Sequence, residues 1–257
     1  MNISLLFDFT RQDFVDRYSG SALGALWAFI HPLVMIFIFT VIFANVMSAK
    51  LPGGSGGNYD YPIYLVSGLL PWIAFTNTIT RCSTVFLEKR HLLNKIRLTL
   101  AYLPVYVVIS ETVTFAIAFT LFLGFLAATN QLPGAWLLFV PLIFILQQIF
   151  AFGLGLLFGV LNVFLRDVKE LVTIVLTFWF WLTPLVWVPA VAPEWLQQLQ
   201  DYINPANWFI AAYRDIFVHH HLPDINALSR LVIIAHAVLL GAWFLLKWLE
   251  KDIRDFL

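Results

Sequence analysis

Charge is what this 257-residue chain has least of: Asp, Glu, Lys and Arg make up 12% of it, against about 25% in a typical soluble domain. Residues 112–165 carry no charge, and neither do residues 171–193. With 61% hydrophobic residues, the composition excludes an ordinary soluble domain and indicates an integral membrane protein. Cysteine is nearly absent, and the single Cys82 rules out an internal disulfide framework or a multi-cysteine metal site. Net charge is zero, so there is no basic footprint for nucleic acid and none is expected as a partner. The chain also lacks a G-x-x-x-x-G-K-[ST] phosphate loop, a G-x-S-x-G nucleophile elbow and an H-E-x-x-H pair. No cleavable signal peptide is evident, because Asp8, Arg11, Asp13, Asp16 and Arg17 stand where its apolar core would lie.

What remains is apolar runs. A membrane-crossing helix needs roughly 20 mostly apolar residues, and six segments qualify: 28–47, 61–80, 103–127, 136–164, 171–188 and 228–246. The expected fold is therefore all-α, with residues 1–27 before a six-span domain (28–247) and a tail at 248–257. In the fourth span, Gln147-Gln148 followed by Gly153, Gly155 and Gly159 predicts close helix packing or a bend. An even span count puts both termini on one side. With the N-terminus in the cytosol, twelve Lys/Arg fall inside and only Lys50, Arg214 and Arg230 outside, so the positive-inside rule sets both termini in the cytosol.

Between the spans lie several distinct features. Ile3, Phe7, Phe14 and Tyr18 share one face of a leading helix, with Asp8, Gln12 and Asp16 opposite and Arg11 and Arg17 flanking. That pattern predicts an amphipathic helix in the cytosolic headgroup plane. Residues 88–97 (EKRHLLNKIR) place Leu92, Leu93 and Ile96 on one short apolar edge. This edge is either a docking element for a partner's groove or a solvated anchor. Outside, residues 190–222 are too long for a turn and too polar to span. They predict two short helices dipping into the outer leaflet, the first carrying Trp195, Leu196, Leu199, Tyr202 and Ile203 before Asn204-Pro205. The composition of residues 52–58 (PGGSGGN) predicts a flexible outer loop.

Candidate chemistry is sparse. Arg166, Asp167, Lys169 and Glu170 interrupt the apolar chain, and the topology makes them a short inner hairpin able to pair locally. Glu111 sits inside the third span, where an unpaired carboxylate is costly. A bond to a neighbouring helix's polar group is the expectation, and a polar pathway or proton site the alternative. His219-His220-His221 cannot converge on one ion as consecutive residues, and no metal is expected. Trp72 and Phe75 in the second span and Trp179 and Trp181 in the fifth need packing partners or a ligand with apolar faces, such as a sugar ring.

These stretches resemble, in order, the motifs of polysaccharide-exporting ABC transporter permeases. Arg17-Tyr18-Ser19-Gly20-Ser21-Ala22-Leu23-Gly24-Ala25-Leu26-Trp27 with Pro32 is similar to R-Y-x-x-S-x-L-G-x-L-W-x-x-x-x-P. Gly68-Leu69-Leu70-Pro71-Trp72 resembles G-L-x-P-W, Phe164-Leu165-Arg166-Asp167-Val168 resembles F-x-R-D-[VI], and Thr183-Pro184 resembles the family's S/T-P. Asn204-Pro205 with Tyr213-Arg214 resembles the N-P…Y-R of an outer re-entrant pair. The resemblance, closest to O-antigen permeases, implies a homodimer of six-span subunits with two copies of a separate ATPase that binds ATP and Mg. The subunits would move undecaprenyl-linked polysaccharide out of the cytosol across the bacterial inner membrane, with no cofactor in this chain.

The same resemblance implies residue roles: Glu88, Arg90, His91, Asn94 and Lys95 at the ATPase, and Arg11, Arg17, Tyr18, Arg166 and Asp167 at the cytosolic entrance. Trp72, Phe75, Trp179 and Trp181 would line the passage, and Trp195, Tyr202, Asn204 and Pro205 an outer gate. One departure stands out. The expected K-x-x-x-P segment is replaced by Lys95-Ile96-Arg97-Leu98-Thr99-Leu100-Ala101 before Pro104, which shifts the docking edge by a few residues. Two rival functions share parts of this pattern: a small-lipid or drug exporter of the same superfamily, and a membrane-embedded glycan-assembly enzyme or scaffold that needs no ATPase.

Overall fold

The structure, a computed structural model, describes residues 3–46, 59–93 and 99–256, and among them there is no strand. The helices are α1 (Ile3–Tyr18), α2 (Trp27–Ile38, continued by π-helical Phe39–Val46), α3 (Asp60–Glu88), α4 (Arg90–Leu93), α5 (Val105–Ala128), α6 (Val140–Phe164), α7 (Val168–Leu182), α8 (Glu194–Tyr202), α9 (Pro205–Phe217) and α10 (Ile225–Phe256). Among the described residues, five helical stretches are long and apolar enough to cross a membrane: Gly24–Ile42, Asp60–Glu88, Leu100–Ala128, Gly134–Phe164 and Ile225–Phe256. They make this a multi-pass membrane protein.

The expected span at 171–188 differs. Its helix, α7, has 15 residues, about 22 Å at 1.5 Å per residue, against a hydrocarbon core of about 30 Å. The apolar run continues through Leu185, Val186 and Trp187, but the helix does not. Thr183 takes an extended conformation (φ −78°, ψ 138°), as the residue before a proline is pressed to do.

α3 is the axis of the fold and packs against α5, α6, α7 and α9. Its seam with α6 needs small residues because the backbones nearly touch. A Cβ at Gly155 would lie 2.5 Å from Cys82 Cβ, and one at Gly159 would lie 2.7 Å from the Cys82 carbonyl oxygen. Close packing, one of the two outcomes expected of this glycine series, is thus what it provides. Polar side chains cross the same seam: Gln147 Nε2 donates to Pro71 O (2.8 Å), Thr78 Oγ1 to Gln148 Oε1 (3.0 Å) and Asn162 Nδ2 to Ser83 O (2.9 Å).

At the N-terminus, α1 stops where Gly20 adopts φ +78°, a conformation that costs glycine little. The helix packs on α5 by a side other than the apolar face that carries Phe7. Phe7 is 68% exposed, whereas Leu6 and Phe9 join the core and Asp13 turns inward beside them. Asp13 meets Arg81 and Ser110 there, and the packed face lies about a quarter-turn from the apolar one. Asp8, Gln12 and Asp16 do remain outside.

Two further expectations are corrected. Leu93, expected on a displayed edge, is buried in the chain's own core. The exposed charges Arg166, Asp167, Lys169 and Glu170 form no ion pair with one another among the described residues.

Candidate functional site

Near the C-terminal end of α3, four charged side chains from three helices meet. Arg17 of α1 donates from Nη2 to Asp13 Oδ2 (3.1 Å) and to Glu111 Oε1 (2.8 Å). Arg81 of α3 donates to the same Glu111 oxygen (2.6 Å) and to Asp13 Oδ1. Neutral groups complete the shell. Asn77 Nδ2 reaches Glu111 Oε2 (3.3 Å), Arg17 also meets Thr114 Oγ1 (3.3 Å) and Ser110 Oγ (3.1 Å), and the Ser110 hydroxyl donates to Asp13. Glu111 is only 1% exposed, a setting in which an ionised carboxylate persists only with cations against it. Its environment is the polar neighbour expected of it, from two other helices at once. The cluster sums to zero, and so does each side: Asp13 with Arg17 on α1, Arg81 with Glu111 on the bundle.

Beside this cluster opens a cavity of about 520 Å³ between the α1–α2 connection and α3 and α5. Arg17, Tyr18, Ser21, His31 and Asn77 give it a polar end, and Met35, Leu70 and Ile73 an apolar one. Trp27 borders it, with its indole N–H on Ser21 Oγ (2.8 Å) and its ring edge-on to His31. Arg17 and Tyr18 therefore share one site. Arg11 is exposed on the far side of α1, and Arg166 and Asp167 are exposed in the α6–α7 turn.

At the opposite end of α3 the problem is irregular backbone. After α7 stops, residues 183–187 run without a helix, and unpaired carbonyls there are expensive. Side chains satisfy them almost one by one. Arg214 donates Nη1 to Pro184 O (2.5 Å) and Nη2 to Leu185 O (2.9 Å). The Tyr61 hydroxyl takes Val186 O (2.9 Å), the Tyr64 hydroxyl takes Trp187 O (2.8 Å), and Gln200 Nε2 takes Leu182 O (2.9 Å). Asn204, the N-cap of α9 through Ala206 N (3.1 Å), binds Thr183 Oγ1 (2.9 Å) and Gln200 Oε1 (2.6 Å) while accepting from Trp179 Nε1 (2.7 Å). The Arg214 guanidinium lies 3.5 Å from the Tyr64 ring centroid. Burial pulls its pKa down to about 10, which still leaves it cationic at neutral pH.

The aromatic candidates divide. Trp72 and Phe75 are buried and meet Trp179 edge-on (6.3 and 5.6 Å between centroids), while Phe75 stacks on Phe150 and contacts Phe209. In this conformation those three pack the interior. Trp181 alone of the four is exposed. Glu88, Arg90 and His91 are exposed at the end of α3 and on α4, and Asn94 and Lys95, like residues 52–58, lie outside the described residues. Trp195 and Tyr202 are exposed on α8, whereas Asn204 is buried in the cage just described. Asp13, Arg81 and Gln200 were not singled out from sequence. The one local signal was the i, i+4 spacing of Asp13 and Arg17.

Among the described residues no three His, Cys, Asp or Glu side chains are grouped to hold a metal. What the geometry defines is a helical membrane protein whose polar groups fasten helices to one another. Residues 5–218 match the ABC-2 type transporter family, and the chain belongs to it. It is 29% identical over 239 residues to the O-antigen export system permease protein RfbA of Myxococcus xanthus, covering 93% of this chain and 89% of that protein. It is 30% identical over 223 residues to a protein of the same name from Klebsiella pneumoniae (85% and 83% covered). A third relative, the polysialic acid transport protein KpsM of Escherichia coli, is 24% identical over 173 residues (62% and 60% covered).

Proposed function

We propose that this chain is the membrane-spanning subunit of an ATP-driven exporter that carries a lipid-linked polysaccharide of O-antigen type from the cytosol across the bacterial inner membrane. The observation that carries the reading is family membership together with relatives named for O-antigen export along 83–89% of their own length. Two copies of this chain would pair with two copies of a separate ATPase that binds ATP and Mg.

The sixth crossing would be α7 with the caged segment 183–187 continuing it, and α8 and α9 would be the outer re-entrant pair. α7 leaves Leu171, Ile174, Phe178 and Trp181 exposed along one side, which supports a second copy or the passage lying there. Both termini would be cytosolic, with Glu88, Arg90, His91, Asn94 and Lys95 facing the ATPase. Arg11, Arg17, Tyr18, Arg166 and Asp167 would stand at the entrance, meeting the carrier's headgroup. Trp181 would touch the passing chain, and Trp72, Phe75 and Trp179 would back the passage wall. Trp195 and Tyr202 would flank the outer gate, held in place by Asn204 and Pro205.

The test is a deletion strain. Lipid-linked polymer should accumulate inside the cell and vanish from its surface, and the tagged chain should bring down a phosphate-loop ATPase. Undiminished surface polymer, or a chain that purifies without an ATPase, would overturn the proposal.

A further inference from the structure

A second cavity, of about 290 Å³, opens between α5 and α6. Its size is near the lower end of small-molecule pockets, which begin at about 300 Å³. The two helices follow one another in the chain, yet each packs on α3 far more than on the other, and the gap left between them is this groove. Val105, Val108, Phe144, Ile145 and Phe152 make its wall apolar, and Thr112 and Gln148 are its polar side chains. Among the described residues no charged side chain lines it. Ile145 is 56% exposed, so the rim opens outward, away from the core.

The pointer to a ligand is Gln148. It is 5% exposed, its Oε1 takes the Thr78 hydroxyl (3.0 Å), and its Nε2 is buried with no partner among the described residues. Consecutive residues of α3 set its level. Asn77 meets Glu111 and Thr78 meets Gln148, so the amide lies level with the ion cluster on the other side of α5. Hydrocarbon supplies no water to meet such a donor, and a buried donor left unmet is costly. An occupant of the groove can meet it.

The lining narrows the ligand. With no charged group in the wall, a phosphate or ammonium head would lose its hydration and gain no counter-charge. A plain hydrocarbon chain fits the wall but leaves the amide as it is. A hydroxyl accepts from Nε2 and donates to the Thr112 oxygen, whose own proton is used on Val108 O (2.7 Å). It suits the amide turned over as well, because it both accepts and donates. An apolar chain that ends in one hydroxyl meets every condition.

We propose that this groove binds an uncharged lipid alcohol from the bilayer, with its hydroxyl on Gln148 and Thr112 and its chain along Phe144 and Ile145. The site requires only that α5 and α6 lie in a bilayer, whatever the chain exports.

The test is photolabelling of the full chain in nanodiscs of phosphatidylethanolamine and phosphatidylglycerol. Two probes carry a diazirine at the same mid-chain carbon, one built on hexadecanol and one on hexadecane. The alcohol should label the peptides that hold residues 105–112 and 144–152 at least fivefold more than the hydrocarbon does. Ile145→Trp, which fills the groove from its exposed rim, should abolish that labelling, and Gln148→Leu should bring the two probes level. Leu142→Ala, exposed on α6 but outside the lining, should label like the unaltered chain. Ile145→Trp leaves the bond between Gln148 and Thr78 in place, so it decides the matter even where Gln148→Leu fails to fold. Unlabelled farnesol, hexadecanol and dioctanoylglycerol, added in parallel, tell isoprenoid, straight-chain and glyceride alcohols apart by which competes best. Equal labelling by the two probes, a preference that survives Gln148→Leu, full labelling in Ile145→Trp, or no competition from any of the three alcohols would each overturn the proposal.

Discussion

At its C-terminal end α3 offers Arg81 to two carboxylates, while near its N-terminal end Gly68 makes room for Arg214, which meets two carbonyl oxygens and the face of Tyr64. Arg214 is buried and Arg81 partly so, and the compensation differs in kind. In the first cluster every cation has an anion, and each of its two sides is neutral. If α1 moves off the bundle, Asp13 keeps Arg17 and Arg81 keeps Glu111. In the second, the cation is one of several donors to a backbone that cannot satisfy itself, and no subset of the cage is complete alone. The ion cluster is a fastening that comes apart cleanly, and the cage is part of the fold.

The largest effect should come from unbalancing the fastening. Glu111→Leu leaves two guanidiniums facing Asp13 alone, and breaking a buried pair from one side costs about 3–5 kcal/mol. The thermal midpoint of the reconstituted chain should drop accordingly. The double variant Glu111→Leu with Arg81→Met restores neutrality and should lose clearly less than the sum of the two single variants. Strict additivity would mean that the charges do not act as one cluster.

Sequence showed the apolar helices and the small-residue seam, because those patterns are local. It did not show which side of a helix faces protein. Lipid tails and a protein interior are both apolar, so spacing gives the apolar face of α1 at Phe7 but not the protein-facing side, which carries Asp13. The partner of Asp13 on α3 is 68 residues away in the chain, and that of Arg17 on α5 is 94 away. Trp72 and Phe75 stayed open to both readings for the same reason, since nothing local distinguishes a passage wall from a core. The stop after α7 was half visible. Thr183-Pro184 marked it, but the apolar residues beyond prolonged the expected span to 188. Only the carbonyl partners, drawn from α3, α8 and α9, explain why the chain can leave a helix there.

Changing the geometry of the cage while keeping its charge should cost less than unbalancing the cluster. Arg214→Lys retains a cation but loses the planar fork that spans Pro184 O and Leu185 O and lies on Tyr64. One buried carbonyl is left without its donor, a loss of about 1–3 kcal/mol. A lysine variant as stable as the parent would show that positive charge, rather than the two-pronged contact, is what the cage requires.

The smallest effect is one of sign. Alanine is favoured over glycine inside a helix by about 1 kcal/mol, so at Gly124 of α5, where a Cβ meets nothing within 4 Å, Gly124→Ala should raise the midpoint slightly. Gly68→Ala should lower it. There the new Cβ lies 3.0 Å from Arg214 Nη2, and that nitrogen cannot retreat without lengthening its bond to Leu185 O. A free arginine would swing aside and let the helical gain appear. Opposite signs for the two substitutions in the same melting assay would mean that the guanidinium is fixed by the backbone it serves. A gain at both would mean that the cage yields as readily as the ion cluster does.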